Sequence, residues 1–157
     1  MATDPVEMVS HTTFGGPRSA DLSALMRRLA ALPPARDAPY LTVSADLRPE
    51  GSAPDRRPGV DMLERAIRAA TQEHAAHTSA RECLDRDAAR IAEAIRSAPS
   101  EMLGFFAVAC GDEGVFESLA LQAPLPTSVA LGPTPRLLEL ARLAEEIKKI
   151  MAAPEVQ

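Results

Sequence analysis

The chain has 157 residues, 46% of them hydrophobic and 25% charged, with a net charge of −5 at neutral pH. That length supports one domain whose core buries roughly 70% of the unfolded surface, so no disulfide or metal staple is needed. The acidic balance argues against an autonomous DNA- or RNA-binding domain, and the lack of Trp, with four Phe and one Tyr, weakens any base-stacking platform.

Residues 1–18 carry Gly15-Gly16-Pro17 and no periodicity, and read as a loose leader. They lack the basic start and apolar run of a secretory signal, and no apolar stretch approaches the roughly 18 residues of a membrane span. The expectation is a cytoplasmic chain without membrane contact. A first helix begins at Ser19 or Asp21, with Leu22, Leu25, Met26 and Leu29 at helical spacing, and Pro33-Pro34 ends it. Tyr40 to Leu47 alternates Leu41, Val43, Ala45 and Leu47 with Thr42, Ser44 and Asp46, the period of a strand with one buried face. Glu50 to Gly59 has four Pro or Gly among its ten residues and reads as a loop.

Two helices follow. Met62, Leu63, Ala66, Ile67 and Ala70 give the first an apolar stripe, with Glu64 and Arg68 spaced to pair on its wet side. The second has Ser79 as its expected N-cap and a stripe of Leu84, Ala88, Ile91 and Ile95. Phe105 to Cys110 is an almost unbroken apolar run, as in a strand covered on both faces. Gly111-Asp112-Glu113-Gly114 is a hairpin turn, Val115 to Leu121 the return strand, and Thr127 to Leu131 a third short strand of this half. Thr134 and Pro135 are expected to open a last helix, with Leu137, Leu140, Ala141, Ala144 and Ile147 facing inward. The order predicts an α+β fold, a mixed or antiparallel four-stranded sheet with helices mainly on one face, spanning residues 19–151 ahead of a short tail at 152–157.

Candidate chemistry is sparse. His74-x-x-His77 with Cys83 is the only metal-like cluster, and it lacks a fourth ligand at a telling spacing, so no metal is expected. Glu64, Glu82, Asp85, Asp87 and Glu93 read as solvated helix-face carboxylates. Cys83 and Cys110 fall in apolar surroundings as small hydrophobes, without a neighbouring base and without a disulfide framework. No glycine-rich loop is followed by the helix and lysine of a phosphate cradle. Charge is unevenly placed: Asp55 to Arg96 holds eight acids and eight arginines, whereas Arg96 to Arg136 encloses no Lys or Arg. Arg56 and Arg57 in the loop, with Arg65 and Arg68 beyond, are therefore the candidate phosphate contacts.

Five ordered features carry a resemblance. Leu41-Thr42-Val43-Ser44-Ala45-Asp46-Leu47-Arg48-Pro49 opens the pattern, and two helices follow. Gly104-Phe105-Phe106-Ala107-Val108-Ala109 comes next, then Gly114-Val115-Phe116-Glu117 running to Pro124-Leu125-Pro126. Val129-Ala130-Leu131-Gly132-Pro133 leads into Leu137-Leu138-Glu139-Leu140. Over about residues 38 to 147 this resembles the N-terminal domain of bacterial relatives of the archaeal and eukaryotic class 1 release factors. That superfamily includes Pelota, the Vms-type tRNA-releasing factors and Balon-type hibernation factors. The resemblance implies a domain that contacts ribosome or tRNA in termination, rescue or hibernation. It implies no enzyme activity and no cofactor in this chain, because the family's catalytic glutamine loop belongs to the next domain and the chain ends at Gln157. The Asn-Ile-Lys-Ser decoding loop of the eukaryotic factors is also missing. The alternative expectation is a protein-interaction or dimerisation module without nucleic-acid binding, with Leu138, Leu143 and Ile150 of the last helix as its apolar surface, through which a homodimer could form.

Overall fold

The computed structural model describes residues 19–48, 58–74 and 78–152. In chain order its elements are α1 (Ser19–Ala30), β1 (Tyr40–Asp46), α2 (Pro58–His74), α3 (Thr78–Arg96), β2 (Gly104–Cys110), β3 (Val115–Leu121), β4 (Ser128–Gly132) and α4 (Leu138–Ala152). The four strands form one antiparallel sheet in the order β3-β2-β1-β4, so the α+β class and the four-stranded sheet stand as expected.

The helices, however, divide two and two between the faces of the sheet instead of gathering mainly on one. On one face α2 and α3 bring Leu63, Ile67, Ile91 and Ile95 onto Leu41, Val43, Phe105, Ala107 and Phe116. On the other, α1 and α4 bring Leu22, Leu29, Leu140 and Leu143 onto Tyr40, Phe106, Val108 and Leu121. The reason lies in β2, whose seven residues are all buried: consecutive side chains point to opposite faces, so an unbroken apolar strand demands cover on both.

The alternation in β1 misleads for the same reason. Thr42 and Ser44 are as buried as the leucine and valine beside them. Each is satisfied by backbone from the covering segments: Thr42 Oγ1 accepts from the Arg136 amide at 3.0 Å, and Ser44 Oγ donates to the Pro126 carbonyl at 2.5 Å. A hydroxyl that finds such a partner adds little desolvation penalty. The Arg136 bond, together with the Ala35 amide donating to the Pro133 carbonyl at 2.8 Å, ties residues 133–136 to β1 and to the α1–β1 connection. That tether delays α4 to Leu138, and Thr134-Pro135 does not open the helix.

Three smaller expectations are corrected. Helix α2 starts at Pro58, inside the expected loop, because proline at the first helical position forfeits no hydrogen bond. Its buried stripe is Leu63, Ile67 and Thr71, while Ala66 is exposed. Glu64 pairs across to Arg96 on α3 at 2.7 Å and not with Arg68 on its own helix. The rotated stripe is checked by Ala66→Lys, which is expected to change stability by less than about 0.5 kcal/mol in urea unfolding. A destabilisation several times larger would put Ala66 back in the core.

The hairpin turn adopts a single 3-10 turn over Gly111–Glu113, and Gly114 closes it with φ of 70°. A side chain at Gly114 would strain that left-handed conformation, so glycine is required there. Among the described residues no helix is long and apolar enough to cross a membrane.

Candidate functional site

Of the expected phosphate contacts, Arg56 and Arg57 lie outside the described residues. Arg65 and Arg68 are both exposed on α2, three residues apart, and Arg68 lines a concave feature to which Arg65 does not contribute. That feature is an open groove of about 450 Å³ running between α2 and α3 on the side away from the sheet. Arg68 from α2 and Arg81 and Arg96 from α3 line it, and Ala88, Ala89 and Ala92 keep it open by their small size. Two acids, Glu64 and Asp85, also line the groove.

The charges are not equivalent. Arg96 is occupied by Glu64, whose carboxylate raises the guanidinium above its ordinary value first through a hydrogen bond and then through Coulomb attraction. Among the described residues, neither Arg68 nor Arg81 forms a salt bridge. Two uncommitted guanidiniums on facing helices can each offer a fork of N–H donors to phosphate oxygens. The pattern of α2 alone brings up Arg68; Arg81 is the residue that sequence reasoning missed. Its signal was its place in the first turn of α3, which an antiparallel pair of helices sets opposite the last turns of α2.

The metal-like cluster falls mostly outside the described residues. His77 and the His74 side chain lie outside them, and Cys83 is half-buried on α3. No three described His, Cys, Asp or Glu side chains meet as metal ligands. Burial pushes the Cys110 thiol up to about 11 and also raises Cys83, so both stay protonated near neutral pH. Cys110 spends its proton on the Ala38 carbonyl at 3.4 Å.

Asp87 departs most from expectation. It is 1% exposed, not a solvated helix-face carboxylate, and both its oxygens lie 3.0 Å from the Gly111 amide nitrogen. Burial pushes its carboxyl up to about 6, against the pull of the Gly111 N–H, Arg90 and Arg86. Its role here is to anchor the β2–β3 turn to α3.

The residues behind the family resemblance also turn out to be anchors. Phe116 lies on the α2–α3 side, with the Arg90 guanidinium 4.2 Å from its ring centroid. Glu117, the next residue, lies on the other side and accepts from Arg28 of α1 at 2.8 Å. The Phe-Glu step thereby ties β3 to both helical layers. Asp46 grips Arg48 through four contacts of 2.6 to 3.0 Å, which hold its carboxyl below the ordinary value. On α4, Leu143 is buried while Leu138 is 42% exposed, and the Ile150 side chain lies outside the described residues. The surface expected for a homodimer therefore gives up Leu143 to the core.

No protein-family model matches the chain, and no curated protein does. Among solved structures, a chain described as an archaeal protein superposes with a TM-score of 0.57 at 14% identity, over 83% of this chain and 37% of that one. The present chain thus spans little more than a third of that neighbour's length. The likeness establishes a shared fold.

Proposed function

We propose that this is a non-catalytic, release-factor-like domain that works in the cytoplasm by docking on the ribosome or on tRNA. The observation that carries the reading is the groove lined from facing helices by Arg68 and Arg81, neither of which forms a salt bridge among the described residues. It supports phosphate contact, and the ordered sequence features supply the kind of machine in which that contact occurs. Recognition here is of backbone, not of base sequence: the chain lacks tryptophan, and the groove offers guanidiniums without stacking rings. A net charge of −5 makes such binding weak away from a partner that positions the domain by other contacts as well. Arg56 and Arg57, close ahead of α2 and its Arg65, extend the proposed contact along the chain.

The test is a variant in which Arg65, Arg68 and Arg81 are all alanine, compared with the parent in ribosome co-sedimentation across a salt series. The variant is expected to bind more weakly. Its log–log salt slope should flatten by about 0.7–0.9 for each phosphate that the variant no longer engages. An identical slope in parent and variant would exclude these arginines from the contact. Extending the variant to Arg56 and Arg57 should flatten the slope further.

A further inference from the structure

A second cleft, of about 430 Å³, lies on the opposite side of the sheet from the arginine groove, between α4, the end of β1 and the 124–126 segment. Its wall holds the acids Asp46, Glu139 and Glu146 and the cations Arg48 and Arg142, with Arg136 beside it near Glu139. The cations there are unequally available. Arg48 is bound to Asp46 by its guanidinium, and among the described residues Arg142 forms no salt bridge with either glutamate.

Glu139 is the unusual member. It is only 6% exposed, yet among the described residues its Oε2 is buried without any hydrogen-bond partner. The other oxygen, Oε1, has Arg136 Nη2 at 3.8 Å, too long for a hydrogen bond. A buried carboxylate oxygen without a donor is disfavoured, and the group is relieved by any cation that brings N–H donors to it. The terminal torsion of glutamate is soft, so the carboxylate can turn its unpartnered oxygen toward such a donor.

We infer that this cleft receives an arginine side chain of a partner polypeptide, its guanidinium on Glu139 and its alkyl stem along Pro124 and Pro126. The commitment to arginine rests on charge and shape together. The unpartnered oxygen of Glu139 selects a cation that carries N–H donors, the carboxylate suits a planar fork, and the exposed proline surface suits an apolar stem. This site is independent of the arginine groove, so either can fail without the other.

The experiment is an amide-resolved NMR titration of the full chain with N-acetyl-arginine amide, N-acetyl-lysine amide and N-acetyl-citrulline amide. Citrulline keeps the shape of arginine and removes the charge. Arginine amide is expected to shift the amides of residues 124–126 and 138–146 saturably in the millimolar range, lysine amide more weakly, and citrulline amide not at all. Glu139→Gln should weaken the arginine response at least tenfold while leaving the remaining spectrum in place, and Glu146→Gln should weaken it by less. Equal responses to arginine and citrulline amides, or an unchanged affinity in E139Q, would overturn the proposal. Lysine amide binding as well as arginine amide would overturn the arginine preference.

Discussion

Gly104→Ala is expected to destabilise the protein by about 1–3 kcal/mol, although it adds one methyl group in a strand. A Cβ at Gly104 would fall on the backbone carbonyl oxygen of Ala123 and would also stand 3.2 Å from the Leu125 amide nitrogen. Neither neighbour is the free end of a side chain. Leu125 is buried, the carbonyl of Pro126 accepts from Ser44, and the Leu103 amide donates to the Leu121 carbonyl at 2.8 Å. The 123–126 segment is therefore held on both sides and cannot retreat without breaking a hydrogen bond or exposing a leucine. For a domain of this size each kcal/mol moves the melting temperature by roughly 2–4 °C, so the effect is read directly in a thermal melt. A G104A protein melting with the parent would show that the two backbones do not approach this closely.

The second large effect concerns pH. Asp87 is buried, and its folded-state carboxyl is pushed up to about 6 from an ordinary value of 3.8. The folded protein therefore holds a proton that the unfolded chain has already released. Its stability contribution is most favourable below the unfolded value and is lost as pH rises through the interval up to about 6. Above that interval the ionised carboxylate costs on the order of 2–3 kcal/mol relative to the protonated group. Asp87→Asn keeps an oxygen acceptor for the Gly111 amide and removes the charge. Unfolding free energies measured from pH 4 to pH 7 should fall for the parent and lack that component in D87N. The variant should match or exceed the parent at pH 7. Asp87→Ala should instead be weaker by about 1–3 kcal/mol near pH 4, because the turn amide is left without its acceptor. Parallel parent and D87N curves would show that Asp87 does not carry the pH dependence.

These two positions also mark what the sequence could and could not convey. The element order was legible because each helix and strand repeats its apolar residues at its own period, and the Gly-Asp-Glu-Gly turn announces its hairpin. The second helical layer was not, because Thr42 and Ser44 look like a wet face until Arg136 and Pro126 supply their partners. Asp87 was legible in principle: it stands three residues after Leu84 and four before Ile91, inside the α3 stripe. Its charge points outward in any local pattern, whereas its position points inward, and position prevails. Glycine at 104 belongs to the residues that carry the family resemblance, but only the nearby Ala123 carbonyl gives it a physical reason.

For the candidate site, charge distribution along the chain led to Arg65 and Arg68. It did not lead to Arg81, since a groove partner contributed by the next helix depends on how the two helices pack. The paired state of Arg96 was equally hidden, because Glu64 had a nearer partner in sequence, Arg68, four residues away on the same helix. Which arginines remain free for a ligand follows from the packing of α2 on α3, a property that no local pattern contains.

Co-sedimentation of the unmodified chain with 70S ribosomes at low and moderate salt tests the proposed docking most directly. The expected result is a ribosome-bound fraction at low salt that falls steeply as salt rises, as for guanidiniums on phosphates. A chain that stays in the supernatant at low salt would contradict it and leave a domain whose partner is not the ribosome.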